Sequence, residues 1–564
     1  MLHLTGGLFK WELKFLGLFL ALISFCNFIF ARNTSALFVP TLSASVDQAN
    51  LQVNGNQVIN STDKTTEIPF NFTVNTNNRT GYTATLSAET ENTALTNSSS
   101  TTGAKIDSIS SAELLGGFSN NTWGYKFGSS MNYAPIPALS TPAQIIQTAG
   151  KTNGNESNQL SIGMKLSDNL ESGNYTNKLI LSFVSNPYTM RAMMTNGPDF
   201  NTRVGNLDPN PAYYSGPDSP LTKPSIKGFK RSTVAPVSSV STINIEDPDL
   251  SDYEIKAWYN AADQSVYYYA PVAVTYLNPN SRGMFQWFTK IESLDFSNID
   301  TSEVNKMHAM FYWMQNLKTI NFGNFNTSNV TDMTAMFGCT FSLTELDLSS
   351  FDTSSVTQMS YMFHGTYVQK LDLSNFNTSN VINMYSMFEA TSRLKEIKFG
   401  DNFNTEKVTN MGRMFTNTPV LVGLNLSKFN TKNVTNMAHM FGGMNAIENL
   451  SLTSFDTSNV TTMNGMFSSM LSLKILDIST FNTQNVTDMG YIFAINNYES
   501  DNLTTIYASD RFTTNNVVAS QGIFNYRKRL RGGNGSFLTD PNTADLTWLR
   551  VDRPGVQGYF TRKS

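Results

Sequence analysis

Two aspartates come closer than any other residues of this sequence to the spacing of a catalytic pair. Asp347 and Asp372 occupy the same place in neighbouring copies of a repeated segment, and stacked parallel strands would bring them to about 5 Å apart. Carboxylates at that separation could perform retaining glycoside hydrolysis or hold a calcium ion. No base, histidine or third acid recurs beside them, so an outward face exposed to solvent is the simpler interpretation.

The remaining chemically active side chains form no recognisable constellation. The histidines His308, His364 and His439 fall at different places in their repeats, which predicts surface positions rather than a metal site. Nineteen of the 25 methionines lie between Met284 and Met489; they could bind copper(I), but their spacing favours core packing. Cys339 is expected to be a packing residue, with a dimer link as the alternative. The sequence therefore predicts no enzyme, no cofactor and no metal.

Length, charge and cysteine content limit the classes of protein to which the chain can belong. The chain has 564 residues, which predicts several domains or a repeat array. Its net charge of −4 argues against nucleic-acid binding, which needs a basic surface. With two cysteines in the whole chain, a disulfide framework is excluded.

The first 36 residues have the order of a secretory signal. Lys10 and Lys14 precede an apolar run, and small residues from Ala31 onward offer a cleavage site. Cleavage is expected, with retention as an N-terminal membrane anchor as the alternative. The sequence thus predicts export to the bacterial cell surface or the medium, and a membrane contact only through this segment.

Three further segments precede the repeats. Residues 37–187 alternate apolar and polar side chains with a period of two, which predicts an all-β sandwich of the kind found in surface modules. Residues 188–250 are expected to form an extended linker, because nine of the 19 prolines in the chain lie between Pro187 and Pro248. Residues 251–292 are expected to cap the repeats.

A Met-Phe pair then recurs about every 26 residues. One copy runs Leu346-Asp-Leu-Ser-Ser-Phe-Asp-Thr-Ser-Ser-Val-Thr-Gln-Met-Ser-Tyr-Met-Phe363. Leu-x-Leu predicts a short strand, and Val-x-x-Met-x-x-Met-Phe places apolar groups on one face of a short helix. A threonine recurs in every copy, at 301, 327, 353, 378, 405, 431, 457 and 483, which predicts a ladder of hydrogen bonds.

These features predict an α/β solenoid of about nine leucine-rich-type coils. The regular coils are placed at 293–500, and a degenerate repeat with a C-terminal cap at 501–564. The unit resembles the BspA-like leucine-rich repeat of bacterial surface proteins, also called the Mycoplasma-type lipoprotein repeat. The resemblance implies an exported protein that adheres to host extracellular proteins, epithelial cells or other bacteria.

The loop after each Met-Phe pair varies most between the copies. It carries aromatic residues in the first three copies, at Tyr312, Trp313, Phe341 and Tyr367. These rings could form a recognition ridge, because Trp and Tyr are good anchors at interfaces; packing between coils is the alternative. A basic run, Arg527-Lys-Arg-Leu-Arg531, could touch anionic polymers or could be a solvated face of the cap.

The sequence therefore predicts an exported, adhesin-like binding protein without enzymatic activity. One alternative is a structural surface-layer component that associates with itself through its repeats. A glycan-active or wall-active enzyme is the weakest alternative, because no catalytic motif supports it.

Overall fold

The structure is a computed structural model that describes residues 2–3, 37–209, 216–218 and 224–563. The expected signal segment lies outside these residues except for positions 2 and 3. The chain divides into two compact units, of which one contains Phe38–Met190 and the other begins at Arg191. None of the described helices has the length and apolar character needed to span a membrane.

The first unit consists almost entirely of strands. Its one short helix is α1 (Gly55–Ile59). Its strands are β1 (Leu2–His3), β2 (Leu42–Val46), β3 (Thr65–Thr76), β4 (Tyr82–Ala88), β5 (Leu95–Asn97), β6 (Lys105–Ser108), β7 (Thr122–Phe127), β8 (Ala143–Gln147), β9 (Glu156–Lys165), β10 (Tyr175–Asn177) and β11 (Leu179–Ser185).

These strands form two sheets. One has the order β1-β10-β5-β6-β7-β9-β3-β2, and the other has the order β11-β4-β8. The alternating residues Phe70, Phe72 and Val74 of β3 lie in one core with Leu160 and Ile162 of β9. The strands predicted from period-two alternation are therefore present, and the alternation of buried and less buried side chains is clearest in β3.

The second unit begins with the segment that the sequence suggests is an extended linker. This segment instead contains β12 (Ala192–Met193), α2 (Gly197–Gly205), β13 (Gly228–Arg231) and β14 (Ile243–Asn244). Phe200 and Phe229 pack edge-on against Phe285 of the first repeat, with ring centroids 5.4 and 5.6 Å away. Proline does not prevent this packing, because the proline of α2 stands in its first turn, where no backbone N–H is needed.

The remaining strands belong to a hairpin that precedes the repeats, to the repeats themselves and to the C-terminal cap. They are β15 (Lys256–Asn260), β16 (Ser265–Tyr269), β17 (Thr275–Tyr276), β18 (Ser293–Asp295), β19 (Ile299–Asp300), β20 (Thr319–Asn321), β21 (Lys370–Leu373), β22 (Glu396–Phe399), β23 (Ile475–Asp477), β24 (Thr505–Ala508) and β25 (Phe560–Arg562). The pairs β18–β20, β21–β22, β23–β24 and β24–β25 are parallel.

The predicted α/β solenoid of leucine-rich coils is wrong. Residues 224–563, which the structure describes without a gap, contain no α-helix. The Val-x-x-Met-x-x-Met-Phe segments are runs of turns, and successive copies are joined by parallel bridges from Asn280–Lys306 through to Asp488–Ala519. The regular structure of this unit is therefore almost all strand and turn.

Backbone dihedral angles explain why no helix forms. In every repeat the residue before Met-Phe has a positive φ between 54° and 62°; these residues are Gly283, Ala309, Ala335, Tyr361, Ser386, Arg413, His439, Gly465, Tyr491 and Gly522. Four residues later a second column, which includes Trp313, Cys339 and Asn417, also has positive φ. A right-handed helix needs negative φ throughout, so these left-handed residues exclude it. Each copy has two of them, except the copy with Tyr491, which has one.

Many backbone N–H and C=O groups of these segments form hydrogen bonds between successive repeats. The amides of Met307, Ala309, Phe311 and Trp313 donate to carbonyls of the next repeat, at 2.8 to 3.0 Å. Only alternate residues do so, as in a parallel β-ladder. The intervening amides close turns within the repeat, such as Met310 to the carbonyl of Met307 at 3.1 Å.

Stacked side chains fill the interior of the repeats. The phenylalanines of the Met-Phe pairs lie face to face from Phe285 to Phe524, with centroids 5.3 to 6.2 Å apart and ring planes within 19°. The methionines at the two regular positions are fully buried, which confirms the prediction of core packing. The predicted threonine ladder is also confirmed, because each hydroxyl bonds to the backbone of the next repeat.

Candidate functional site

The loop after each Met-Phe pair begins with the second left-handed residue. The aromatic side chains of the loop are partly exposed at the surface of the repeat region, whereas others, such as those of Met314 and Cys339, are buried. Because successive loops are joined by backbone bonds such as Trp313 N–H to Gly338 O, at 2.8 Å, their side chains lie in a row. This row is the part of the repeat surface where the sequence varies most.

Five aromatic side chains of this row touch one another across four repeats. The ring centroids of Trp287 and Trp313 are 5.0 Å apart, those of Trp313 and Phe341 5.9 Å, and those of Phe341 and Tyr367 5.5 Å. Tyr312 lies beside the two tryptophans, at 5.9 and 5.8 Å. We call these five residues the aromatic ladder.

The aromatic ladder combines packing with exposure. Each of its five rings is half-buried, so one part contacts the neighbouring ring and another part meets solvent. At its far end the exposed Arg393 places its guanidinium carbon 4.4 Å above the ring of Tyr367. A guanidinium in this position is attracted by the ring face and is held in a defined orientation. The ladder is therefore a continuous, pre-ordered strip of apolar and cationic surface.

The structure thus brings together all four ridge residues that the sequence suggests. It adds two that sequence reasoning missed, Trp287 and Arg393. The 26-residue period could have identified both residues, since Trp287 lies 26 residues before Trp313 and Arg393 lies 26 residues after Tyr367.

A groove continues the row where the rings end. The equivalent positions of the next repeats hold small and amide side chains, and they enclose a cavity of about 280 Å³ lined by Ala390, Ser392, Asn417, Pro419, Gly443 and Asn445. The side-chain oxygen of Asn445 is buried and accepts no hydrogen bond in the described part of the chain. The groove therefore adds a recess with mainly small side chains to the end of the row, and the Asn445 oxygen lies beneath its surface.

Cys339 lies beneath the aromatic ladder. The thiol is buried, and this burial raises its pKa to about 11, so that it stays protonated at neutral pH. Burial also raises the pKa of the neighbouring Tyr312 to about 12. The structure therefore gives Cys339 the position of a packing residue.

Asp347 and Asp372 are both exposed, and each closes a turn. The Oδ1 atom of each accepts from the amide two residues on, that of Ser349 or Ser374, at 2.9 Å. The amide of Ser349 holds the pKa of Asp347 below its usual range, and the hydroxyl and then the amide of Ser374 do the same for Asp372. Asp372 also pairs with Lys398 at 3.1 Å, so its closest charged neighbour across the strands is a cation.

The three histidines lie beside acids. His308 Nδ1 is 3.8 Å from Asp332, and His364 Nδ1 is 3.7 Å from Glu389. Glu389 also pairs with Arg413 at 3.3 Å. Burial lowers the pKa of His364 and of His439, and the cation of Arg413 lowers both further. Within the described residues, no group of three or more histidine, cysteine or acidic side chains is arranged to hold a metal ion.

The basic run near the C-terminus is split by the fold. Arg527 is fully buried and pairs with the buried Asp501 at 3.1 Å. Lys528, Arg529 and Arg531 are exposed. A run that reads as one charged segment therefore provides one structural arginine and three surface cations.

Fold and surface together define a stacked-repeat protein with a row of variable loops. In comparisons with known proteins, the family described as "Mycoplasma protein of unknown function, DUF285" matches residues 280–399 and 391–507. These two stretches cover the repeats and less than half of the chain. Neither a curated protein nor a solved structure matches the chain.

Proposed function

We propose that the chain is an exported bacterial surface protein, without enzymatic activity, whose repeat region binds other proteins or cells through the aromatic ladder. The observation that carries this proposal is the contact of five half-buried rings across four repeats, ending in Arg393. Tryptophan, tyrosine and arginine are the side chains that most often dominate protein interfaces. A rigid row of them loses little conformational entropy on binding.

Three further observations support the same proposal. The match to a Mycoplasma protein family is compatible with a bacterial surface protein. The motif Leu-x-Leu-Ser-x-Phe-Asp/Asn-Thr-Ser supports the assignment of the repeats to the BspA-like type, whose members are implicated in adhesion. The groove next to the ladder adds a recess of about 280 Å³ that a side chain of the partner would fill.

The covered ends of the repeats favour this proposal over self-association by end-to-end stacking. At the C-terminal end, β24 lies between β23 and β25, so the last repeat strand has a neighbour on both sides. At the N-terminal end, Phe200 and Phe229 cover Phe285. A sheet whose edges are covered offers no template for another copy. Light scattering of the full chain at increasing concentration tests this point, and growth into long assemblies would favour the self-associating alternative.

The binding proposal is tested with the full chain on immobilised extracellular-matrix proteins and on epithelial cells. The variant Trp313→Asn with Tyr367→Ser removes two rings, and asparagine tolerates the positive φ of position 313. The matched control, Tyr491→Asn with Tyr385→Ser, removes two tyrosines outside the ladder, and Tyr491 also has positive φ. We expect the ladder variant to lose about tenfold or more in affinity and the control to keep its affinity.

Equal binding by the ladder variant and the parent chain would contradict the role of the ladder. The proposed location is tested separately by fractionating cells that express the chain and locating it in medium, wall, membrane or cytoplasm. Recovery in the cytoplasm alone would contradict export.

A further inference from the structure

The split basic run leaves three cations with no evident role in the fold. Arg527 points inward, where its Nε donates to the carbonyl of Phe493 at 2.5 Å and its Nη1 pairs with Asp501. The amide of Arg529 donates to the same carboxylate at 2.7 Å. These contacts fix the backbone of the run and leave the next side chains to project from the cap.

Aromatic rings hold two of these cations in place. Lys528 Nζ lies 3.9 Å from the ring centroid of Tyr498, and Arg531 Cζ lies 4.4 Å from that of Phe537. The Tyr498 ring is itself fixed, because its hydroxyl accepts a hydrogen bond from Asn542 at 2.8 Å. Phe537 is 54% exposed. Cation–π contacts of this kind orient a charge without neutralising it.

The three cations stand within four consecutive residues of the backbone. Arg531 Nη1 donates to the carbonyl oxygen of Lys528 at 2.7 Å, which places the guanidinium against the backbone of the first cation. Arg529 Nη1 contacts the amide oxygen of Asn502 at 3.3 Å. We call Lys528, Arg529 and Arg531 the cationic cluster.

No carboxylate of the described chain forms an ion pair with any member of the cationic cluster. Exposed lysines of the repeats differ in this respect, since Lys318 pairs with Glu292 at 2.7 Å and Lys398 with Asp372 at 3.1 Å. The carboxylate of Asp501 is paired with the buried Arg527, and that of Asp540 contacts the hydroxyl of Tyr498 at 3.4 Å. The cluster is therefore a local excess of positive charge on a chain whose net charge is −4.

We propose that the cationic cluster binds a densely charged anionic polymer that carries sulfate or phosphate groups. Two guanidinium groups provide the paired donors that match such oxyanions, and the lysine adds a point charge. The cations are exposed rather than enclosed, so they suit repeated charges on a flexible polymer better than a single ion. This site is separate from the aromatic ladder, and its failure would leave the proposed function untouched.

The experiment measures binding of the full chain to heparin and to inorganic polyphosphate, with hyaluronan as a polymer of lower charge density. The variant Lys528→Gln with Arg529→Gln and Arg531→Gln removes the cluster. The control, Lys318→Gln with Lys370→Gln and Lys398→Gln, removes three ion-paired cations of the repeats and changes the net charge equally. Circular dichroism confirms that both variants fold.

We expect binding to heparin, to polyphosphate or to both, and the stronger of the two identifies the charged group. The logarithm of the association constant should fall linearly with the logarithm of salt concentration. The cluster variant should lose about tenfold or more at low salt and show a shallower salt dependence, while the control retains its affinity. Equal losses in both variants, equal binding to hyaluronan, or no binding to either charged polymer at low salt would overturn the proposal.

Discussion

The hydroxyl of Thr353 donates to the carbonyl oxygen of Asn377 and accepts from the amide of the same residue, at 2.9 Å in both cases. Thr353 is fully buried. Seven further threonines make the same reciprocal pair with the next repeat, so one hydroxyl satisfies two backbone groups at each junction. A buried polar group with both partners stabilises, and one without them is costly.

Thr353→Val keeps the shape of the side chain and removes both bonds. The amide and carbonyl of Asn377 would then be left unsatisfied at that junction, and each unsatisfied group costs about 1–3 kcal/mol. We expect the free energy of unfolding of the repeat region to fall by about 2–4 kcal/mol in urea denaturation. The control Thr319→Val replaces an exposed threonine and should change it by less than about 0.5 kcal/mol.

The residues with positive φ before each Met-Phe pair predict that glycine is stabilising at these positions. Ala335 has a φ of 54°, a conformation that costs a residue with a Cβ about 1 kcal/mol. We expect Ala335→Gly to raise the free energy of unfolding by about 0.5–1 kcal/mol. Ala438, one position earlier in its repeat, does not have positive φ, so Ala438→Gly should lower it by a similar amount. Thermal melting of both variants measures the contrast, and a loss of stability in Ala335→Gly would contradict it.

The buried histidines predict a loss of stability in mild acid. Burial lowers the pKa of His364 and His439 in the folded state, while in the unfolded chain both titrate near about 6.5. Below that value the unfolded chain binds more protons, so stability falls as the pH drops from about 6.5 toward the folded pKa. Below the folded pKa these two residues cause no further loss.

The variant His364→Gln with His439→Gln should flatten this part of the curve of stability against pH. Urea denaturation at a series of pH values gives both curves, and parallel curves for the parent and the double variant would refute the prediction.

The buried Arg527–Asp501 pair predicts which substitutions destabilise the C-terminal cap. Both side chains are almost completely buried, so Arg527→Met leaves an unpaired buried carboxylate and should cost about 3–5 kcal/mol. Arg527→Met with Asp501→Leu removes both charges and should recover most of that loss. Arg562→Met, which breaks an exposed pair with Asp510, should cost less than about 1 kcal/mol. Limited proteolysis of the cap reports the order, and equal effects of the two single arginine variants would contradict it.

The sequence predicts the features that follow from the 26-residue period, and it misses the features that depend on backbone dihedral angles. The 26-residue spacing predicts the stacking of repeats, the buried methionines and the threonine ladder. The helix was wrong because apolar spacing alone does not report the sign of φ. The glycines at 283, 465 and 522, which occupy the same place in their repeats, were the available signal for a left-handed position.

For the candidate sites, too, the sequence predicts positions along the repeat but not contacts between side chains. The aromatic residues at 312, 313, 341 and 367 could be predicted as surface loops because the loop is where the copies differ. Their mutual contact required the structure, since Trp313 and Phe341 meet although they occupy positions two residues apart in successive copies. The inward turn of Arg527 could not be predicted, because nothing in a run of five residues tells which cation finds a buried acid.

The parallel bridges between successive repeats also determine how the protein responds to tension. When the chain is pulled from its two ends, each junction from Asn280–Lys306 to Asp488–Ala519 is loaded in turn. Each peeled repeat would release about 26 residues of slack, a contour length of roughly 90 Å. Such a molecule would yield in steps and re-form when the load is removed, so that a pull on the chain would be taken up gradually rather than at one breaking point.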